Sequence, residues 1–352
     1  MKTATVTWIY YENFGTFLQA YALQKSIKEL GHDNIIIDDS HFFKPGILSR
    51  IKKTVMDKIK GKSKKAHRCY SDFRKRFLNI GHCAGNTGNF ANSYDVFLCG
   101  SDQIWSPYLE FNPYYYLGFT EKKKVAYAPS TGTSACTELY KSNVKPLIEK
   151  FDHIAVREED GAKMLAPFID KDVKVVLDPT LLLTKEQWNS VESKVQAKES
   201  YILCYFLTPN KWYLDYVKEY AKRHNKKVKI FNTNPLYPKL GFEVVNAGPG
   251  EFISYIKNAE KIFTDSFHSS IFSILYHKDF ITFKRFKDGG KKDQNARIAN
   301  LFNKLGVKEH FIGEEQLDTI ETITLPNYIA VEERLGKLRA ESKEYLRNAI
   351  EN

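Results

Sequence analysis

A histidine set among small hydroxyl residues, where an apolar run gives way to a helical one, is the pattern in this chain best suited to chemistry. It lies in Thr264-Asp265-Ser266-Phe267-His268-Ser269-Ser270. Lys261–Thr264 reads as a strand, and a helix begins near His268. In the first turn of a helix the dipole favours the neutral imidazole. The serines supply donors, and the free backbone N–H groups of that turn point at any anion. A capping turn carrying an incidental histidine is the structural alternative.

Three other segments place polar residues at the end of an apolar run. Asn13-Phe14-Gly15-Thr16 follows the strand-like Thr3–Ile9 and reads as a tight turn before a helix over Phe17–Leu30; Gly15 there permits close approach of backbone to a ligand. Gly100-Ser101-Asp102-Gln103-Ile104-Trp105 follows Tyr94–Cys99 directly. Arg157 emerges at the end of Ile154–Val156, where a guanidinium can grip a carboxylate or phosphate with two parallel bonds. Each also has a plain reading, as a helix cap, an Asx turn or a local salt bridge.

The elements that must position these residues alternate strand and helix almost throughout. Asn34–Asp38, Val125–Ala128 and Val173–Leu177 read as further strands of a first series. After Trp188 the pattern restarts with strands at Tyr201–Leu207, Val228–Phe231, Lys261–Thr264 and Phe280–Phe283, and helices at Trp212–His224, Phe252–Asn258 and His268–Tyr276. This is α/β architecture with parallel sheets. It predicts a Rossmann-like domain over 1–190, a second over 191–327, and a closing helix over 328–352 that packs back on the first. Ligands then bind in the cleft the two domains face, beyond the carboxyl ends of the strands.

Composition narrows the partners. The chain has 352 residues, 43% hydrophobic and 27% charged, with a net charge of +11, so anionic partners are favoured. Five widely spaced cysteines without a CxxC pair read as reduced thiols, and neither HExxH nor another metal-ligand spacing occurs. No metal is expected. The start, MKTATVTWIYYENFG, lacks the apolar core of a secretory signal, and no segment reaches the ~20 apolar residues that span a bilayer. A cytoplasmic protein is expected. Arg50–Arg76 carries twelve Lys/Arg against two Asp. It reads either as a solvated surface helix or as a basic patch on anionic lipid at the inner face of the membrane. No nucleic-acid-binding motif accompanies it.

Taken in order, NFGTFLQAYALQ (13–24), GSDQIW (100–105), VAYAPS (125–130), VREED (156–160), LDPT (177–180) and TDSFHSSIF (264–272) resemble the polysaccharide pyruvyl transferase family along nearly the whole chain. The resemblance implies a glycosyltransferase-B-like pair of Rossmann domains and phosphoenolpyruvate as donor, with no cofactor besides. It also implies a sugar acceptor, lipid-linked or nucleotide-linked, for a surface polysaccharide, and a functional histidine at His268. Several relatives carry Arg two residues before that histidine; here the position is Ser266, so Arg157, Arg285 or Arg297 must supply the charge, or the donor differs. On this reading His268 is the general acid–base, and Asp102 is its partner or a contact to sugar hydroxyls. Arg157 and Arg297 clamp the anion. Asn13, Gly15, Thr16, Ser101, Gln103, Ser130, Ser266, Ser269 and Arg285 complete the substrate contacts. A glycosyltransferase using a nucleotide sugar, or a sugar-binding member without activity, would have the same fold.

Overall fold

Val96–Cys99, Tyr201–Tyr205 and Lys261–Thr264 are buried at every position, which requires cover on both faces, the condition of strands in parallel sheets. The computed structural model describes residues 1–38, 64–82, 90–196, 199–288 and 294–352. Its first sheet contains β1 (Lys2–Val6), β2 (Asp33–Ile37), β3 (Ile80–Gly81), β4 (Val96–Cys99), β5 (Lys123–Tyr127), β6 (His153–Val156) and β7 (Val173–Val175), in the order β3-β2-β1-β4-β5-β6-β7. The second contains β8 (Tyr201–Tyr205), β9 (Lys227–Phe231), β10 (Glu243–Val245), β11 (Lys261–Thr264), β12 (Asp279–Phe283) and β13 (Phe311–Ile312), in the order β10-β9-β8-β11-β12-β13. All pairings are parallel. The strand order reverses between β1 and β4 and again between β8 and β11. Such reversals open a crevice at the carboxyl ends of the strands.

Helices α1 (Phe14–Glu29), α2 (Lys64–Phe77), α3 (Glu138–Ile148), α4 (Glu159–Leu165) and α5 (Lys185–Asn189) accompany the first sheet in sequence. Those of the second are α6 (Lys211–Arg223), α7 (Pro249–Asn258), α8 (Phe267–Leu275) and α9 (Ala296–Leu305), followed by α10 (Tyr328–Glu351). Helix α1 begins three residues earlier than its apolar spacing predicts, because the Asn13 side chain caps it by accepting the Gly15 N–H. Gly15 and Thr16 therefore belong to a helical first turn rather than to a turn before it.

Phe14 carries α1 into the second domain. Its ring centroid lies 4.6 Å from Phe252, 4.9 Å from Phe231 and 5.2 Å from Tyr205. One apolar core thus runs from α1 through α7 and α8. Helix α10 ties the halves together from the other side. Val331 and Leu335 join the core containing Phe280 and Leu305, while Leu346, Ala349 and Ile350 pack with Ile27, Val96 and Val125. This is the expected return onto the first domain.

Residues 50–63 of the basic stretch lie outside the described residues. The remainder falls in α2, where Tyr70 and Phe73 are buried against α1 and Lys64, Lys65, Arg68, Lys75 and Arg76 are exposed. Among the described residues no helix is long and apolar enough to cross a membrane.

Candidate functional site

The two crevices meet at His268. Ser266 caps α8, its hydroxyl accepting the Ser269 N–H at 3.4 Å, and this places His268 in the first helical turn. The imidazole lies across the first turn of α1. A Cβ built on Gly15 would stand 2.0 Å from His268 Nδ1, so only glycine admits the ring there. The N-termini of α1 and α8 therefore converge on one imidazole, and both favour negative charge beside it. The side chain is 10% exposed, and its buried Nε2 faces Asp178 Oδ2 at 3.5 Å.

Asp178 is the carboxylate that sequence reasoning missed. The segment LDPT figured in the resemblance, but nothing local marks a fully buried Asp whose charged partners, Arg157 and His268, come from distant parts of the chain. Its Oδ2 accepts from Arg157 Nη1 at 2.9 Å, and its Oδ1 accepts from the Thr180 N–H at 2.9 Å and hydroxyl at 2.6 Å. Burial alone would raise its carboxyl; His268, Arg157 and Thr180 outweigh burial and hold it well below the ordinary carboxylate range.

The expectation that Asp102 partners His268 is corrected accordingly. Asp102 is held inside the first domain, where Oδ2 accepts from the Thr16 hydroxyl at 2.6 Å and Oδ1 from the Gln103 N–H at 2.9 Å. Its backbone φ of 65° turns the chain back there, and Ser130 N–H donates to its carbonyl at 2.7 Å. Other predicted contacts are likewise occupied within the protein. The Ser101 hydroxyl donates to the Ala128 carbonyl at 2.6 Å and its N–H to Gln19 Oε1 at 3.0 Å. The Ser130 hydroxyl donates to Glu158 Oε1 at 2.8 Å, as do the N–H groups of Thr131 and Gly132. Ser269 is fully buried behind the helix cap, so its backbone N–H serves Ser266 instead of a ligand.

Two predicted residues bridge the domains. Asn13 Nδ2 donates to the Tyr205 hydroxyl at 3.4 Å, and Gln103 Nε2 donates to Gln294 Oε1 at 3.0 Å. That Gln294 oxygen also accepts from Arg297 Nη2 at 3.4 Å.

Arg157 and Arg297 come together over the Phe267 ring, at 5.0 and 5.8 Å from its centroid. Arg157 is the compensated member, with Asp178 bonded to it, Glu158 Oε2 3.8 Å from its Nε and Asp102 Oδ1 4.0 Å from its Nη2. Arg297 has no carboxylate within 4.0 Å among the described residues, and burial, then the like charge of Arg157, push its guanidinium down to about 9. Both line a cavity of about 350 Å³ with Asp178, Phe267, Asn300 and residues of α10. His268 is not part of that lining; it touches the cavity through Asp178.

Arg285 stands outside that cavity, within electrostatic reach of Arg297 and of Asp265. It lines a separate cavity of about 720 Å³ with Asn210, Trp212, Lys284, Phe286 and Lys287. Asp265, beside Ser266, holds the β8 loop by accepting from the N–H groups of Leu207 and Thr208 and from the Tyr213 hydroxyl, at 2.6, 3.0 and 2.9 Å. Burial outweighs these bonds and pushes its carboxyl up to about 6. Among the described residues no group of three His, Cys, Asp or Glu side chains is arranged to hold a metal ion.

Solved structures with a similar fold include proteins captured with UDP. S. aureus MnaA bound to UDP superposes with a TM-score of 0.57 at 11% identity, over 99% of this chain and 95% of that one. The UDP-GlcNAc 2-epimerase of Methanocaldococcus jannaschii, with UDP-GlcNAc and UDP, gives 0.51 at 13%, over 97% and 100%. An alpha-glucosyltransferase complexed with UDP and DNA gives 0.50 at 8%, over 99% and 95%. These similarities establish the two-domain fold shared by glycosyltransferases and epimerases of this architecture. No curated protein sequence matches the chain. The profile of the family described as polysaccharide pyruvyl transferase matches residues 13–285, from the cap of α1 to just beyond β12. The chain belongs to the polysaccharide pyruvyl transferase family.

Proposed function

We propose that the protein transfers the pyruvyl group of phosphoenolpyruvate to two hydroxyls of a sugar in a surface-polysaccharide precursor, forming a ketal and releasing phosphate. One observation carries this reading: a single oxygen, Asp178 Oδ2, faces His268 Nε2 at 3.5 Å and accepts from Arg157 Nη1 at 2.9 Å. An acid–base group and an anion-binding group are thereby fixed to one buried carboxylate where two helix N-termini meet.

Ketal formation needs both. His268, as imidazolium, gives its proton to the methylene carbon of the enol, and the neighbouring carbon becomes cation-like. The first sugar hydroxyl adds there and returns its proton to the imidazole. The carbon–oxygen bond to phosphate breaks, the second hydroxyl closes the ketal, and its proton leaves with phosphate. Asp178 orients the ring, while Arg157 and Arg297 hold the donor's anionic groups. General acid–base catalysis of this kind contributes about 10²–10⁴-fold.

The second reading is a glycosyltransferase acting with a nucleotide sugar. The observation favouring it is the cavity with Trp212, Phe286, Lys284, Arg285 and Lys287, which joins aromatic faces to cations at the ends of the second sheet, although Asp288, paired with Lys284, and Glu314 and Glu315 line it too. The same cavity suits a nucleotide-linked acceptor under the first reading. A lipid-linked acceptor would bring the basic face of α2 to an anionic membrane, which salt-sensitive binding to anionic vesicles checks. The deciding experiment incubates the protein with phosphoenolpyruvate and a panel of lipid-linked and nucleotide-linked sugars, reading phosphate release and product mass. Pyruvylated product with stoichiometric phosphate is expected. Sugar transfer from a nucleotide sugar, with phosphoenolpyruvate inert, would overturn the reading.

A further inference from the structure

Buried polar groups without partners concentrate around one space. Arg157 Nε and Nη2, Arg297 Nε and Asn300 Nδ2 are all buried and have no hydrogen-bond partner among the described residues. All three residues line the cavity of about 350 Å³ between the end of β7, α9 and α10. Leaving such donors unmatched is costly, and native proteins do so rarely. The far wall is different in kind. There Ser342 accepts the Leu177 N–H at 3.0 Å, Tyr345 donates to the Ala126 carbonyl at 3.2 Å, and Leu338 adds an apolar side chain. One unpartnered acceptor, Glu158 Oε2, also lies at the cavity, 3.8 Å from Arg157 Nε, and it limits how much of the space an anion can use.

Spacing on α9 explains the convergence. Arg297, Asn300 and Lys304 are three and seven residues apart and so share one helical face. The other side of the helix, with Ile298, Phe302 and Leu305, anchors it in the core, and Leu301, next to Arg297 on the helix surface, lines the cavity as well. Lys304 stands farther out on the polar face, 3.4 Å from Glu159. Arg297 brings a cation with no carboxylate within 4.0 Å among the described residues, and Asn300 brings a neutral donor one turn later.

We infer that Asn300 is a binding residue for the donor substrate, acting with Arg297 and Arg157 as a three-sided seat for a small anionic head group, phosphate or carboxylate, beneath α10. The inference rests on the pyruvyl-transfer reading and adds to it where the donor's charge is recognised. The α9 face takes the place of the cation that the Ser266 position does not supply. Carbon atoms of the donor then lie along Phe267, toward Asp178 and His268.

The test is titration of the full chain with inorganic phosphate, and separately with phosphoenolpyruvate, for the parent, Asn300→Leu and Asn300→Asp. Removing one donor to a charged ligand should weaken phosphate binding about tenfold, and a carboxylate in its place should weaken it by more. KM for phosphoenolpyruvate should rise by the same factor, more than kcat falls. Because Asn300 Nδ2 has no partner among the described residues, neither change should lower the melting temperature appreciably; should Asn300→Leu fail to fold, the near-isosteric Asn300→Asp carries the test alone. Parent-like phosphate affinity in the folded variants would overturn the inference while leaving pyruvyl transfer intact. Phosphate binding that depends on Asn300, without turnover of phosphoenolpyruvate, would support the seat and overturn the proposed reaction.

Discussion

The first domain and α9 of the second deliver polar groups to the same place in opposite states. On the first side, Asp102 is matched by Thr16 and Gln103, Glu158 Oε1 by Ser130, Thr131 and Gly132, and Ser101 by Gln19 and Ala128. On the other, Arg297 Nε and Asn300 Nδ2 have no partner among the described residues. Arg157 sits at the border, bonded to Asp178 through Nη1 but unmatched at Nε and Nη2. A closed network fixes geometry and leaves little for a ligand; an open one has its binding capacity in reserve. The first domain is therefore a pre-organised frame open only at Arg157 and Glu158 Oε2, and α9 of the second adds the remaining groups that a substrate completes.

The sharpest way to break this comparison is to remove each arginine in turn. Arg157→Ala leaves Asp178 and Glu158 as buried carboxylates without their cation and should lower stability by about 3–5 kcal/mol in denaturant titrations. Arg297→Ala removes a half-buried cation with no carboxylate within 4.0 Å among the described residues, only the more distant Glu158 and Asp102, so stability should hold or rise while phosphate affinity falls. Equal losses of stability would mean that the two sides are not different in kind.

Gly15→Ala comes next. Alanine in a helix is favoured over glycine by roughly 0.5–1 kcal/mol, so α1 itself should not weaken. The added Cβ, however, occupies the space of His268 Nδ1, and turnover should fall by about 10²-fold as the ring is displaced. Parent-like turnover would show that the contact between α1 and His268 does not position the acid.

A smaller effect concerns Asp265, deep in the second domain. Its carboxyl is raised from 3.8 to about 6 by burial, so it binds its proton more tightly in the folded than in the unfolded chain. The stability this contributes is complete below about pH 4 and is lost as pH rises through about 6. Relative to Asp265→Asn, the parent should lose up to about 1.4 kcal/mol per pH unit across that interval. Parallel pH–stability profiles would contradict the assignment.

Much of the frame was legible from the sequence. The buried apolar runs and the helices between them gave both series of βα units, and the return of Tyr328–Glu351 onto the first domain followed from its position. The place of His268 at a helix start was legible because a strand end, a capping serine and a helix start are local signals. Short β10 and β13, at sheet edges, have too few residues to show a period. Asp178 was not legible as a site residue, since its meaning depends on Arg157, 21 positions earlier, and on His268 in the other domain. Asn300 lies in a stretch whose apolar spacing, Ile298, Leu301, Phe302 and Leu305, announces a helix, but only tertiary packing places its amide over a cavity.

The most direct test of the account is phosphate release from phosphoenolpyruvate by the parent and by His268→Ala, measured across pH with a saturating sugar acceptor. The account predicts at least a ~10²-fold loss in the variant, together with disappearance of the pH limb that the parent shows. Release by His268→Ala at close to the parent rate, with the same pH profile, would contradict it.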